Sequence, residues 1–571
     1  MAEKKSKKSA VAKAVKNRKP MPGDRDASCP VIPLGTNDGA YFFMSKLGEV
    51  RKMRTYEMNE AGFQSLFDGD LTWLQKHFPI KPNSGKAKTG CEFNVPAARN
   101  YLIQRCVKKR LFDGSKPIRK TGVWKHASGQ PAIHCGDEVF INGKWMEAGF
   151  EDEGCIYPAA PTIGRPADIP ATTSEGEEIL AGFDLWHFEH EHGAEIALGL
   201  LGQAYIAGAL PWKAHALFYG LFGSGKTTLL SYIEAALGSA ALPPSTGYSE
   251  AGLRQDMNNQ ARAGLLDEAE NDATSASNMK RIIKMIRQMS SEGGANIQRG
   301  TPGGAAMHFR LNSCIMMFCV LPPPMEPQDL ARITRLRLLP LRDDQKSGGA
   351  VKVENAIARA RELGPKLWRR AIDRPDHYKQ AFHVFHCYLT DHMNLSARAA
   401  DQFGTILAGA DILRYDGPPN DSDSIEARVE TIRPLIEEWV ANETTENEGQ
   451  LCLNRLLSSP VNLGRDDNKT IGKLILEATD PDKGQWARKT LSQIGMRLEE
   501  YHTKTPHLLV ANRHEGLRRA FQGSKWEHYA WRDALHSLPG IGATEKSISY
   551  GGVSSRSSHI PFEYLPAKDE A

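Results

Sequence analysis

Eight consecutive residues, 220–227, combine glycines with a lysine and hydroxyl side chains in the order Gly-Leu-Phe-Gly-Ser-Gly-Lys-Thr. Glycines let backbone N–H groups turn inward around an anion, and a following helix adds its partial positive charge. Lys226 can reach the β- and γ-phosphates of a nucleotide, and the Thr227 hydroxyl can bind Mg²⁺. This pattern predicts a binding loop for ATP and Mg²⁺ made of Gly220, Gly223, Ser224, Gly225, Lys226, Thr227 and Thr228.

The segments on either side of the loop have the composition of a strand and a helix. Residues 214–219 form a short apolar run, and residues 228–238 continue as an apolar-rich helix closed by a glycine. A glycine-rich turn without function is the alternative explanation for such an octapeptide. Strand, loop and helix in direct succession favour the phosphate loop, because that order aims the helix N-terminus at the anion.

A second apolar run, residues 263–266, ends in the acids Asp267 and Glu268. In nucleotide-hydrolysing sites, one carboxylate at such a strand end holds Mg²⁺ and another activates the attacking water. We therefore expect Asp267, with Thr227, to bind the metal. Glu268 would be the general base, and Lys226 a further catalytic residue.

An arginine precedes the last predicted strand of this region. Residues 329–332, Asp-Leu-Ala-Arg, read as a helix end, and residues 335–341 as the strand. Arg332 is far along the chain from the phosphate loop and can stabilise the transition state at a neighbouring subunit's nucleotide. A surface ion pair is the alternative role.

Short apolar runs at 214–219, 263–267, 312–320 and 335–341 are typical of parallel strands covered by helices. We predict a multidomain α/β protein whose P-loop parallel-sheet core has a β-rich N-terminal region before it and a mainly helical C-terminal region after it. The expected limits are a basic tail at 1–25, a β-rich accessory domain at 30–160, a linker at 161–193, the core at 194–345, a helical lid at 352–445, and a small C-terminal domain at 446–571, with a winged-helix-like arrangement as one option.

The first 20 residues carry eight lysines or arginines against one acid, Glu3. This basic segment has too few apolar side chains to fold by itself. We therefore predict that residues 1–25 form a disordered tail. A tether for polyanions and a solubilising tail both fit this composition. No apolar run approaches the roughly 18 residues of a membrane span, and the nine cysteines form no CxxC pair. We predict a cytoplasmic protein with reduced thiols and no membrane partner.

The loop, the acidic strand end, the glycine-rich turn at 298–304 and Asp-Leu-Ala-Arg before a last strand resemble the superfamily 3 helicases. More narrowly, the chain resembles the helicase part of phage, plasmid and prophage primase-helicases. Residues 249–255, 267–270 and 298–301 carry this likeness, as do residues 510–514 and 531–532 nearer the C-terminus.

The resemblance implies an AAA+ type core in a ring-shaped homo-oligomer, a hexamer, that translocates on single-stranded or forked DNA. It also implies a primase or polymerase partner, and a DNA-contacting hairpin onto which Arg299, His308 and Arg310 map. Residues 279–289 have a basic face, for which a DNA-facing stripe and a solvated surface both stay open.

Two positions depart from the family pattern. The third core strand ends at residues 318–321 in Phe-Cys-Val-Leu, where the family has a polar residue that senses the γ-phosphate; Asn312, at the other end, is a poor substitute. The one DxD near the N-terminus, residues 68–70, reads as a loop, so we expect no primase activity.

We therefore expect an ATP-dependent DNA helicase or translocase of phage or prophage replication, acting in the host cytoplasm if phage-encoded. A helicase loader or switch protein with little unwinding of its own is the alternative. A nucleic-acid-binding scaffold with a decayed ATPase is a third class, and the intact Lys226, Thr227, Asp267 and Glu268 argue against it.

Overall fold

The computed structural model describes residues 28–80, 93–113, 116–269, 276–300, 306–341, 349–445, 448–461, 469–500 and 506–566. The basic tail at 1–25 lies outside these ranges, as do residues 301–305 of the glycine-rich turn. The chain divides into two compact units, Met1–Pro434 and Leu435–Ala571. The finer domain limits expected from the sequence stay predictions.

The first unit opens with a three-stranded antiparallel meander packed against helices. The elements are β1 (Ile32–Asn37), β2 (Ala40–Met44), β3 (Val50–Arg54), α1 (Glu60–Leu66), α2 (Thr72–His77) and α3 (Val95–Lys109). The buried side chains of Phe43, Phe63 and Leu102 join sheet and helices in one core. Further strands follow, namely β4 (Gly122–Lys125), β5 (Pro131–His134), β6 (Glu138–Ile141), β7 (Lys144–Glu147), β8 (Phe150–Asp152) and β9 (Cys155–Tyr157).

The DxD sequence lies in the turn between α1 and α2, as expected of a loop. Asp68 and Gly69 have φ of 50° and 82° there. Asp70 Oδ1 accepts the Thr72 N–H at 3.1 Å, and Asp70 Oδ2 lies 2.6 Å from Lys46 Nζ. These carboxylates therefore serve the local turn and helix start.

The sheet that carries the phosphate loop contains four parallel strands. In chain order its region comprises α4 (Thr173–Phe183), α5 (Gly193–Ala204), β10 (His215–Tyr219), α6 (Lys226–Leu237), α7 (Glu250–Asp256), β11 (Gly264–Leu266), α8 (Ala276–Met289), β12 (Ala295–Gly300), β13 (Ala306–Leu311), β14 (Ile315–Cys319), α9 (Pro327–Leu330) and β15 (Ile333–Arg337). The strand order is β11-β14-β10-β15. Every residue of the inner strand β14 is buried, as expected for a strand covered on both faces. The predicted multidomain α/β fold class is confirmed.

Extended segments are hydrogen-bonded to both edges of this sheet. Residues 241–245 run along β11, where the Leu242 N–H donates to Ala263 O at 2.8 Å. At the opposite edge, the Glu189 N–H donates to Arg337 O of β15 at 2.9 Å. These segments satisfy backbone groups that an open sheet edge would expose.

Residues 161–193, expected to be a linker, contain the regular helix α4. Thr172 and Glu175 form a capping box at its start, and Ile179 and Phe183 are buried. A regular helix therefore lies within the stretch expected to be a linker, and the limits of that linker stay a prediction. The stretch before the helix is rich in proline and threonine, whereas the Thr-x-x-Glu spacing is the helix signal.

The first unit continues as helices: α10 (Gly349–Ile372), α11 (Pro375–Asp391), α12 (Ala397–Arg414), α13 (Ser422–Glu430) and α14 (Arg433–Thr445), the last of which runs past residue 434. Helix α10 packs closely on α6, since a Cβ added at Gly364 would lie 2.3 Å from Ala236 O. Helix α12 packs on α5 equally closely, since a Cβ added at Gly409 would lie 2.2 Å from Gly199 O. Helix α6, which starts at the phosphate loop, is thus supported by the helical region.

The second unit has its own core of helices and short strands. It contains α15 (Glu448–Ser458), β16 (Pro460–Val461), β17 (Lys469–Thr470), α16 (Ile471–Ala478), α17 (Gln485–Ile494), β18 (Met496–Glu499), β19 (His507–Ala511), α18 (Glu515–Ala520), α19 (Trp531–Leu535), β20 (Gly542–Ala543), β21 (Ile548–Tyr550), β22 (Val553–Ser555) and β23 (Ser557–Ile560). Phe521 stacks on the fully buried Trp531 at 5.3 Å between ring centroids. A winged-helix-like arrangement stays a prediction. Within the described parts of the chain, no helix has both the length and the apolar character needed to cross a membrane.

Candidate functional site

The predicted phosphate loop lies directly between β10 and α6. Gly223 and Gly225 both have φ of 80°, a left-handed conformation that favours glycine. At Gly220, an added Cβ would lie 2.3 Å from Leu338 O. The backbone therefore requires glycine at all three positions.

The polar side chains of the loop take different positions. The Lys226 ammonium donates to Gly220 O at 2.7 Å, so it lies across the loop where phosphates would bind. Thr227 and Thr228 are exposed in the first turn of α6, whereas Ser224 is buried. Backbone N–H groups of a helix start, one ammonium and exposed hydroxyls form a suitable cradle for a polyphosphate.

Trp186 supports this loop, and the sequence pattern missed it. Its indole Nε1–H donates to Gly225 O at 2.9 Å and lies 3.3 Å from Thr228 Oγ1. The ring is 3% exposed and lies 5.3 Å from the Tyr232 ring on α6. A tryptophan 39 residues before the glycine it contacts leaves no local spacing signal.

Asp267 and Glu268 follow β11 directly. Asp267 is half-buried, and its N–H donates to Ser245 O at 3.0 Å. Glu268 is exposed, with φ of 56°, and a left-handed conformation costs a non-glycine residue about 1–3 kcal/mol. Strain of this kind tends to occur at functional sites, which agrees with the role expected for Glu268.

The strand register brings these acids to the carboxyl ends of the strands, where the phosphate loop lies. Leu266 of β11 is aligned with Met317 of β14, and Tyr219 of β10 with Cys319. Because the strands are parallel, the residues that follow them emerge at the same edge. The residues at the carboxyl ends of the strands therefore lie together, and we call this end of the sheet the nucleotide edge. It carries Lys226, Thr227, Asp267 and Glu268.

This edge has suitable ligands for Mg²⁺. The Thr227 hydroxyl is exposed and the Asp267 carboxylate is half-buried. Mg²⁺ in nucleotide sites usually takes one or two protein oxygens, with phosphates and waters as its other ligands. The donor set therefore fits a nucleotide-bound Mg²⁺.

The end of β14 has a thiol where the resemblance noted from the sequence leads us to expect a polar sensor. Cys319 is buried at this end. Asn312 precedes the other end of the strand, and its amide donates to Gly208 O at 2.7 Å. Asn312 is therefore not at the nucleotide edge.

Tyr248, which the sequence reading also missed, brings a hydroxyl group near this edge. Burial, followed by the neighbouring Cys319, Asp267 and Glu268, raises the pKa of Tyr248 above its usual value. The phenol therefore stays protonated at neutral pH. Its hydroxyl is buried, and α7 begins two residues later at Glu250.

The hairpin expected to contact DNA is formed by β12 and β13. Arg299 pairs with Met307, Gln298 with His308, and Asn296 with Arg310. Successive side chains of a strand point to opposite faces. The structure therefore places His308 and Arg310 on one face of the hairpin and Arg299 on the other.

These residues also differ in exposure. His308 is exposed and Arg299 largely so, whereas Arg310 is half-buried. Burial lowers the pKa of Arg310, and Asp113 and Arg119 of the N-terminal region act on it electrostatically. Arg310 therefore faces charged groups of the N-terminal region more than the solvent.

Arg332 lies at the amino ends of the core strands, whereas the phosphate loop lies at their carboxyl ends. The next residue, Ile333, is aligned with His215 at the start of β10. Arg332 Nη1–H donates to Gln328 O at 2.7 Å, and the guanidinium lies 5.8 Å from the Trp212 ring centroid. The structure therefore does not bring Arg332 to its own phosphate loop.

The basic face of α8 is only partly committed to ion pairs. Arg287 Nε lies 2.7 Å from Asp329 Oδ1, whereas Lys280 and Lys284 are exposed. Arg287 thus has a structural role. The two lysines are compatible both with a DNA-facing stripe and with a solvated surface. Within the described ranges, no group of three or more His, Cys, Asp or Glu could hold a metal ion by itself.

Fold and site together define a multidomain α/β protein built on a P-loop core. No protein-family model matches the chain, and no curated protein sequence matches it significantly. Among solved structures it is similar to SCCmec type IV Cch, described as an active helicase. That match has 10% identity, covers 94% of both chains and has a TM-score of 0.49. The apo C-terminal region of NrS-1 matches at 10% identity over 93% of this chain and 96% of that one, with a TM-score of 0.32. Both TM-scores are below 0.5, so the assignment of the core rests on its own strand order and loop geometry.

Proposed function

We propose that this protein is an ATP-dependent DNA helicase or translocase that acts in phage or prophage DNA replication. The observation that carries the proposal is the meeting of the phosphate loop with Asp267 and Glu268 at one sheet edge. A base beside the acid that binds the metal serves water activation, which a protein that only binds a nucleotide does not need.

Each residue at this edge has a distinct role in hydrolysis. The loop N–H groups and Lys226 would bind and orient the β- and γ-phosphates, and Thr227 and Asp267 would hold Mg²⁺. When bound, Mg²⁺ supplies positive charge that offsets the charge of the phosphates. Glu268, exposed at the strand end, accepts the proton of the attacking water. The buried Tyr248 hydroxyl has no hydrogen-bond partner among the described atoms, so it can donate to a group bound at the same edge.

A ring of identical subunits would complete this site. Arg332 is remote from its own loop, so it can serve hydrolysis only at the nucleotide of another copy. Phe222, at the tip of the phosphate loop, is 95% exposed. Leu221 beside it is 56% exposed, and the two adjacent apolar side chains form a small patch that is suited to contact a second copy. We propose a homo-oligomeric ring, a hexamer, that encloses single-stranded DNA or the strand of a fork, with a primase or polymerase as a further partner.

A helicase loader or switch protein is the second candidate. It is favoured by the end of β14, where Cys319 stands in place of a polar γ-phosphate sensor. Weak sensing would let the protein bind ATP and a partner without efficient unwinding.

The test is ATP turnover with and without single-stranded DNA, combined with strand displacement on a forked duplex. Lys226→Ala is the control, because it removes the ammonium at the loop. DNA-stimulated turnover with strand displacement is the expected result. Stimulated turnover without displacement would favour the loader or switch protein. The absence of any turnover would favour a scaffold with a decayed ATPase and contradict the proposal.

A further inference from the structure

The inner face of the hairpin packs against α7 through a group of charged side chains. Arg299, on this face, places Nη2 3.5 Å from Glu250 Oε1, and the same oxygen lies 2.9 Å from Arg254 Nη1. The Arg254 guanidinium lies 4.5 Å from the centroid of the Phe309 ring on β13. Glu250 Oε1 therefore forms ion pairs with both Arg254 of α7 and Arg299 of the hairpin.

The two arginines are held very differently. Arg254 and Glu250 are 7% and 8% exposed, and a buried pair of this kind is expensive to break. Arg299 is 53% exposed by side chain and its contact with Glu250 is longer, so this pair is weak and easily exchanged. A phosphate oxygen that approached Arg299 could replace Glu250, because a phosphate offers several charged acceptors.

Glu250 is also linked to the end of the sheet that carries Asp267 and Glu268. Its N–H donates to Asn278 Oδ1 at 2.9 Å, and the Asn278 amide donates to Tyr248 O at 3.0 Å. Asn278, on α8, thus fixes the start of α7 to the residue whose hydroxyl lies near Asp267 and Glu268. Two hydrogen bonds through Asn278 therefore link Glu250 to Tyr248, on which Asp267 and Glu268 act electrostatically.

We propose that Glu250 competes with DNA phosphate for Arg299, so that DNA bound at the hairpin releases Glu250 and is sensed at the nucleotide edge. This inference rests on the proposed function, since it requires DNA to bind at the hairpin. It assigns to Glu250 a positioning role, and it makes Arg299 a phosphate contact that is masked without DNA. His308, on the opposite face, is not subject to this competition.

The test is a double-mutant cycle on single-stranded DNA affinity with Glu250→Gln and Arg299→Gln in the full chain. Glutamine at 250 keeps an oxygen for Arg254 but removes the charge that holds Arg299. Glu250→Gln should raise DNA affinity by about 1.5- to fivefold, the range expected for loss of an exposed competing pair. It should also raise ATP turnover without DNA. Arg299→Gln should reduce the slope of log affinity against log salt by about 0.7, the value for one lost single-strand phosphate contact.

In the Arg299→Gln background, Glu250→Gln should no longer change DNA affinity. His308→Gln is the matched control, because in that background Glu250→Gln should keep its full effect. Equal effects of Glu250→Gln with and without Arg299 would overturn the inference. If Glu250→Gln does not fold, Glu250→Asp replaces it in the same cycle, since the shorter carboxylate keeps a charge for Arg254 and withdraws from Arg299. A wild-type protein that binds no DNA would contradict the proposed function instead, so the two failures can be told apart.

Discussion

Replacing Trp186 with phenylalanine would remove one hydrogen-bond donor from the phosphate loop and keep most of the buried ring. Phenylalanine can still pack on Tyr232, whereas alanine would leave a cavity that destabilises the fold by about 3–5 kcal/mol. The Gly225 carbonyl would still accept the Thr228 hydroxyl at 2.8 Å, so no buried acceptor is left unpaired. The expected loss is that of one ordinary hydrogen bond, about 1 kcal/mol.

If the lost hydrogen bond stabilises the loop conformation that binds the nucleotide, the Kd for ATP should rise about fivefold. Calorimetric titration in a Glu268→Gln background measures the Kd without hydrolysis. Trp368→Phe is the matched control, because the Trp368 ring is 2% exposed and its Nε1–H has no hydrogen-bond partner among the described atoms. Equal ATP affinities of the Trp186→Phe and Trp368→Phe proteins would refute the role assigned to Trp186.

Three further predictions concern hydrolysis, the tail and the ring. Lys226→Ala should abolish ATP hydrolysis, whereas Glu268→Gln should bind ATP and retain it; normal turnover by Glu268→Gln would show that the general base lies elsewhere. Deleting residues 1–20 should weaken DNA binding and flatten its salt dependence without changing DNA-free turnover, and an unchanged salt slope would contradict the tether. Arg332→Ala should bind ATP nearly normally yet hydrolyse it about 10³- to 10⁵-fold more slowly. A variant with both Arg332 and Arg335 replaced by alanine belongs in the same series, because Arg335 could share this role. Mixing Arg332→Ala with Lys226→Ala subunits should restore part of the activity, and no recovery despite confirmed subunit exchange would exclude action between subunits.

Features of the site that depend on local spacing were predictable from the sequence. The loop glycines, Lys226 and the helix after it are adjacent in the chain, and each glycine meets a backbone requirement in the structure. The parallel core strands were also predictable, because short runs buried on both faces have a distinctive composition. Asp267 and Glu268 could be placed at the nucleotide edge because parallel strands end together.

Features that depend on contacts distant along the chain were not predictable. Arg299 and His308 were expected on one hairpin, but the sequence did not specify the strand register that places them on its opposite faces. Trp186 and Tyr248 approach the site through tertiary packing, for which a single sequence contains no spacing pattern. Helix α4 is different, since its Thr172 and Glu175 capping box was present in the sequence and was outweighed by the surrounding prolines.

The covered edges of the core sheet restrict how copies of this protein can join. The segment beside β11 includes Pro243 and Pro244, which lack the N–H groups that another strand would need. On the far side, β15 is already paired with residues near Glu189. Growth of one continuous sheet from molecule to molecule, which is a common route to fibrous aggregates, is therefore blocked at both ends of the core. In the ring proposed above, contacts between copies would use side chains on loops and helices, and such contacts could slide and re-form without breaking the backbone hydrogen bonds of a sheet.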